Sequence, residues 1–219
     1  MMRIAIAGAG NVGRAIAREL LDNGHQVLLI DKDPKALKLE SVPDAEWLMA
    51  DACEITSLDN AHLNNCQVLV AATGDDKANL VTSLLGKTEY GVPRVVARIN
   101  HPKNEWLFDS SWGVDVAVST PRIISALVEE AVSVGDVVRL FSFRKGQANL
   151  VELTLPDGSA CIGKTVEEIE LPENAALAAI VRDGRVITAK PHDVFAAGDE
   201  LLFVASADAE AQIKSCFIS

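Results

Sequence analysis

The chain has 219 residues, 49% hydrophobic and 23% charged, with 14 glycines and 8 prolines; this balance describes a globular protein and excludes a disordered or fibrous one. A formal net charge of -11 repels a phosphate backbone and excludes broad electrostatic binding of nucleic acid. Arg3 leads at once into a strand-and-turn pattern instead of a signal peptide, and the most apolar runs, Val68 to Ala72 and Leu201 to Ala205, fall far below the roughly 18 residues of a membrane span, so a soluble protein is expected.

From residue 3 to about residue 134, short β-rich runs alternate with helical patterns, as parallel βαβ units do. The predicted strands are Arg3 to Ala7, Gln26 to Ile30, Glu46 to Ala50, Gln67 to Ala71, Arg94 to Ile99 and Val114 to Val118. Together they make one doubly wound, Rossmann-like sheet. Helices are expected between them, opened by Asp33-Pro34, Asp75-Asp76, His101-Pro102 and Thr120-Pro121. The last, predicted from Pro121 to about Val134, carries Ile123, Ile124, Ala126, Leu127, Val128, Ala131 and Val132 around much of its cylinder. One sheet face cannot cover so much apolar surface, so the helix is expected to pack on a second subunit as well, the alternative being a fully buried terminal helix.

After Gly135-Asp136 the pattern changes, so residues 1–134 and 135–219 read as a nucleotide-binding domain and a second, smaller α+β lobe. Its predicted strands are Val137 to Phe143, Leu150 to Leu155, Ala176 to Arg182, Val186 to Thr188 and Leu201 to Ala205. Asp183-Gly184 between two apolar runs is a hairpin signal. Helices are expected around Val166 to Glu168 and from Asp208 to Phe217.

The chemistry concentrates at the start of the chain. Gly8-x-Gly10-x-x-Gly13 follows a strand and opens a helix, where the dinucleotide fingerprint belongs. The first glycine permits the tight turn, the second lets backbone approach a pyrophosphate, and the third allows close helix-strand packing. Amides around Asn11 and Val12 would face the anion, at the positive end of the helix dipole. Asp31, closing the second strand, is placed to accept hydrogen bonds from ribose hydroxyls, and an acid there opposes a 2′-phosphate. Asp51-Ala52 and Thr73-Gly74 end the third and fourth strands on the same edge, Asp51 as a candidate for the adenosine side and Thr73 for the phosphates, each with helix capping as its alternative. Arg98, late in the fifth strand, reads equally as a phosphate partner or half of a structural ion pair.

Cys53, Cys66, Cys161 and Cys216 are far apart and read as reduced thiols, the four histidines are equally scattered, and no metal site is expected. A dehydrogenase needs an acid or base beside the nicotinamide, and the second lobe offers no such constellation. The nucleotide therefore reads as sensed and not consumed, with a small NAD-dependent oxidoreductase as the alternative. A nucleotide-sensing transcriptional regulator would need a basic reading helix, which is not found.

Across nearly its whole length the chain resembles the RCK (KTN) proteins of the TrkA/KtrA group. The likeness rests on Ile6 to Gly13, then Leu29-Ile30-Asp31-Lys32-Asp33, Ala50-Asp51-Ala52, Ala71 to Asn79, Ala97-Arg98-Ile99 and Ser119-Thr120-Pro121, and in the second lobe on Ile162 to Thr165, Ala179 to Gly184 and Gly198-Asp199-Glu200. The resemblance implies a cytoplasmic regulatory subunit, associated with the inner face of the membrane through a Trk/Ktr-type potassium-translocating protein. It implies pairing through the last Rossmann helix and assembly of several copies, often as a ring. Relatives that respond strongly to ATP carry Arg within the glycine loop and Glu after the proline, where this chain has Asn11 and Arg122. The residues leave NAD(H), ATP, ADP and AMP open as ligands.

Overall fold

Alternate residues of the first strand, β1 (Arg3–Ala7), enter opposite layers: Ile4 and Ile6 join one apolar core, Ala5 and Ala7 another. A strand buried on both faces needs continuous apolar sequence, which explains why this stretch lacks polar alternation. The structure, a computed structural model, describes residues 1–132, 134–143 and 148–218, without the side chains of Glu130, Ala131 and Ser142. The chain divides into two compact units, Met1–Pro121 and Arg122–Ser219. Among the described residues no helix is long and apolar enough to cross a membrane.

In the first unit, β2 (Gln26–Asp31), β3 (Glu46–Met49), β4 (Val68–Ala71), β5 (Arg94–Ile99) and β6 (Val116–Ser119) join β1 in one sheet of order β3-β2-β1-β4-β5-β6. Every pairing is parallel. The chain reverses its direction of travel between β1 and β4, and a ligand crevice opens at the carboxyl ends of strands at such a point. Helices α1 (Asn11–Asp22), α2 (Ile55–Ala61) and α3 (Asp76–Thr88) complete the layers.

Two predicted helices are absent. Between β2 and β3 lie only the 3-10 turns Pro34–Ala36 and Leu39–Ser41. In that segment Val42 is buried but Leu39 is exposed, so a longer helix would lack an apolar face to hold it. Between β5 and β6 lie the 3-10 segments Pro102–Leu107 and Ser110–Trp112. There the Asp109 carboxylate caps a new turn by accepting the Ser111 N–H at 2.8 Å, and Gly113, at φ +72°, ends it.

The second unit holds an antiparallel sheet of order β10-β9-β11-β8-β7, built from β7 (Val137–Ser142), β8 (Asn149–Thr154), β9 (Ala175–Arg182), β10 (Arg185–Ile187) and β11 (Glu200–Ala205). Asp183 and Gly184 both have positive φ, as the tight hairpin between β9 and β10 requires. Helix α5 (Ala207–Phe217) brings Phe217 against Phe195 and Phe203, with ring centroids 5.4 and 5.5 Å apart. Only one 3-10 turn, Val166–Glu168, stands where a further helix was expected. The Glu168 carboxylate reaches back to the Thr165 N–H at 2.6 Å, and Pro172 follows soon after, so no second turn forms.

Helix α4 (Thr120–Val132) leads into this unit. Ile123, Ile124, Leu127, Val128 and Val132 are all exposed, so the fully buried alternative does not hold within one chain. Ser133 and the Ala131 side chain, both within that helix's predicted span, lie outside the described residues.

Asp199 is fully buried and accepts two hydrogen bonds from the Arg182 guanidinium, at 2.6 and 2.8 Å, and the Ala196 N–H at 2.8 Å. This fork ties β9 to the turn before β11. Asp199→Ala leaves Arg182 and the Ala196 amide without their acceptor, so unfolding by urea is expected to show a loss of about 2–4 kcal/mol.

Candidate functional site

A cavity of about 540 Å³ lies at the carboxyl edge of the parallel sheet. Gly8, Gly10, Asn11, Val12, Asp31, Lys32, Asp51, Ala52, Thr73, Gly74 and Arg98 all line it. Gly13 does not, for a steric reason: a Cβ there would stand 1.8 Å from the Gly8 carbonyl oxygen. Gly13 sets how closely α1 lies on the turn. Gly8, at φ +104°, also touches the β4 exit, since a Cβ would come within 2.8 Å of the Thr73 nitrogen. Around Gly10 nothing lies within 4 Å of such an atom, so its surface is open on the cavity side of the loop.

Asp31 has a structural task beyond its expected one. Its Oδ2 accepts the Ala9 N–H at 2.7 Å and its Oδ1 the Asp33 N–H at 2.9 Å. A carboxylate offers about four lone-pair sites, so capacity for ribose hydroxyls remains while the glycine loop is held to β2. Asp51 lines the cavity but does not cap α2, whose N-cap position is Glu54. Its Oδ1 accepts the Cys53 N–H at 2.9 Å, closing a turn, while Oδ2 meets the Lys32 ammonium at 3.0 Å. The Cys53 amide and then Lys32 hold the Asp51 carboxyl below the usual carboxylate range.

Thr73 is bound into the scaffold through Asn79, which is fully buried on α3. The Asn79 Oδ1 accepts the Thr73 hydroxyl at 2.6 Å and the Thr73 N–H at 2.9 Å, while its Nδ2 donates to the Arg98 carbonyl at 2.8 Å. One amide thus joins the exits of β4 and β5. Next to it Asp76, also buried, accepts from the Asn100 N–H at 2.6 Å, the Asn100 Nδ2 at 3.0 Å, the His101 N–H at 3.0 Å and the Asn104 Nδ2 at 2.8 Å.

Arg98 makes no ion pair among the described residues, and its Nε is buried without a hydrogen-bond partner. Of the two roles read from sequence, the structural ion pair is not formed among the described residues. Sequence reasoning did not single out Cys53 and Thr82, which also line the cavity. Thr82 lies one helical turn beyond Ala78 on α3 and donates to the Ala52 carbonyl at 3.1 Å; the four-residue spacing was the available signal. Burial and then Asp51 push the Cys53 thiol up, so it supplies no thiolate near neutral pH. The arrangement offers donors, the cations Lys32 and Arg98 and the carboxylates Asp31, Asp51 and Asp75 around an apolar floor, suited to holding a phosphorylated ribonucleoside.

Burial is the largest influence on Asp76 and raises its pKa, but the hydrogen bonds from Asn100, Asn104 and His101 together outweigh it, leaving the carboxyl below its ordinary value. A lowered folded-state pKa gives stability that is fully present above the unfolded value and lost as pH falls through the folded one. Asp76→Asn is expected to cost about 1.5–3 kcal/mol at neutral pH. In denaturant titrations at several pH values, the gap between the two proteins should close below about pH 4.

Residues 4–120 match the TrkA-N domain and residues 150–217 the TrkA-C domain. The chain is 55% identical over 213 residues to the Trk system potassium uptake protein TrkA of Mycobacterium tuberculosis, with 97% of each chain covered. It is 28% identical over 219 residues to a Trk system potassium uptake protein TrkA homolog of Archaeoglobus fulgidus, covering 99% of this chain and 50% of that one. Its fold is similar to part of the solved structure of the GsuK channel bound to NAD, with a TM-score of 0.68 at 17% identity over 98% of this chain and 39% of that one. The GsuK RCK domain gives a TM-score of 0.66 at 17% identity over 100% of this chain and 48% of that one.

Proposed function

The chain belongs to the TrkA family of Trk system potassium uptake proteins, and we propose that it is the subunit through which an adenine nucleotide, NAD(H) or ATP, ADP or AMP, regulates potassium transport. Its relatives are potassium uptake proteins by name, and the oxidoreductase alternative is set aside. Residues 1–134 serve as the nucleotide-sensing domain and residues 135–219 as a second regulatory lobe. The protein works at the cytoplasmic face of a Trk/Ktr-type potassium-translocating membrane protein, in an assembly of several copies.

One observation carries the nucleotide reading: the cavity that joins the glycine loop, Asp31 and Thr73 also contains Arg98, a guanidinium with no ion pair among the described residues. An unpaired cation beside open backbone donors is the complement of a phosphate. In this reading Gly10, Asn11 and Val12 take the phosphates with Thr73, Gly74 and Arg98. Asp31 takes the ribose, while Lys32, Asp51 and Ala52 form the adenosine side. Ligand energy then shifts an equilibrium between assembly shapes, which requires different contacts with the nucleotide in each.

Calorimetric titration with NADH, NAD, ATP, ADP and AMP, with light scattering to follow assembly size, tests the proposal; binding of at least one is expected, and binding of none overturns it. Arg98→Gln is expected to weaken nucleotide binding by about 1.5–3 kcal/mol, the worth of a charge-assisted hydrogen bond. Unfolding stability should hardly change, because no ion pair is lost.

The exposed stripe of Ile124, Leu127, Val128 and Val132 on α4 supports pairing of two copies through that helix. Leu127→Asp places a charge on the stripe. Sedimentation velocity should then show a shift toward monomer, with circular dichroism unchanged.

A further inference from the structure

Arg14 directly follows the third glycine of the loop and is only 8% exposed. Its Nη1 donates to the Ala9 carbonyl and, at 3.4 Å, to the Ala36 carbonyl, and its Nη2 donates to the Asn11 Oδ1 at 2.7 Å. All three partners are neutral oxygens, and among the described residues no carboxylate pairs with this guanidinium. Arginine keeps its charge when buried. A buried cation without a counter-charge is costly, and carbonyl dipoles offset only part of that cost.

The geometry has a second consequence. A guanidinium can only donate, so the Asn11 amide atom facing it is the oxygen. Asn11 also lines the cavity, and its Nδ2, with two N–H donors, has no hydrogen-bond partner among the described residues. Ala9 is held on both sides, its N–H by Asp31 and its carbonyl by Arg14. Two acceptors of the glycine loop, the Ala9 carbonyl and the Asn11 Oδ1, are thus occupied by one buried cation. A phosphate approaching the loop would be repelled by free acceptors and attracted by donors.

We infer that Arg14 is a positioning residue for phosphate recognition: it takes up the acceptors of the loop, presents the Asn11 amide donors to the ligand, and supplies a positive charge for which the phosphate group is the missing counter-ion. The inference rests on the nucleotide reading of the cavity. It explains how a loop carrying neutral Asn11 recognises an anion, with the charge placed one helical turn behind it.

The test compares ADP with adenosine, which shares the base and ribose but has no phosphate, by competition titration on the full chain. Arg14→Met is expected to lower ADP affinity about tenfold or more and to leave adenosine affinity within about twofold. Asn11→Ala should lower ADP affinity in the wild-type background and add less than about twofold to Arg14→Met, because the amide is already released. An unchanged ADP affinity, or an equal loss for ADP and adenosine, overturns the role. Should circular dichroism show Arg14→Met unfolded, Arg14→Lys carries the same comparison, since it keeps the charge but cannot bridge two acceptors as a planar fork does. An ADP-specific loss of about three- to tenfold is then expected, and a wild-type ratio of the two affinities overturns the role. Wild-type protein that binds neither ligand would remove the nucleotide reading and this role together, whereas wild-type binding of both with no ADP-specific loss in the variants removes Arg14 alone.

Discussion

The site depends on one close approach, that of Gly13 to the carbonyl oxygen of Gly8, where a single added carbon would stand 1.8 Å from that oxygen. With α1 this near the turn, its first residues, Asn11 and Val12, line the cavity. The same closeness brings Ala9 to the end of β2, where Asp31 accepts its N–H, and places Arg14 where it reaches back to the Ala9 carbonyl and Asn11. Glycine conformation, helix start and charge placement are therefore consequences of one steric requirement.

Within a strongly acidic chain, the carboxylates around the candidate site are held by donors of the scaffold. Asp31 is bound by two backbone amides, Asp51 by an amide and Lys32, and Asp76 by four donors. These carboxylates are largely occupied by the scaffold. Arg98 is left with no ion pair among the described residues, so one cation remains available in a cavity that also holds Asp31, Asp51 and Asp75. Asn79 joins Thr73 to the Arg98 carbonyl on β5, and Asn100, held by Asp76 just after β5, donates to the Thr73 carbonyl at 3.0 Å, so the wall of the cavity is bonded directly to that segment.

The second unit closes its own core around Phe195, Phe203 and Phe217 and fastens it with the Arg182–Asp199 fork. The stripe on α4 takes no part in that core, since Ile124, Leu127, Val128 and Val132 all reach solvent. A row of large apolar residues at helical spacing on an exposed face is the surface that the proposed pairing with a further copy would cover.

The sequence by itself determined the parallel sheet, the antiparallel lobe, the glycine loop and the edge on which the candidate residues gather. These features depend on local periodicity, on turn residues with restricted φ, and on the rule that open α/β sheets bind ligands at their carboxyl edge. Tertiary structure decided what depends on partners distant in the chain. The segment opened by Asp33-Pro34 has an acceptable start for a helix but too little apolar surface to hold one, while in the segment opened by His101-Pro102 the Asp109 carboxylate caps a new turn that Gly113 ends, and sequence pattern could weigh neither. Arg98 could be a phosphate ligand or half of an ion pair until its surroundings showed no carboxylate paired with it. Arg14 follows Gly13 in full view in the sequence, yet its role is set by oxygens of Ala9, Asn11 and Ala36 that only folding brings around one guanidinium. Periodicity along a chain tells which side chains face inward, whereas the satisfaction of a buried charge is a property of the three-dimensional neighbourhood.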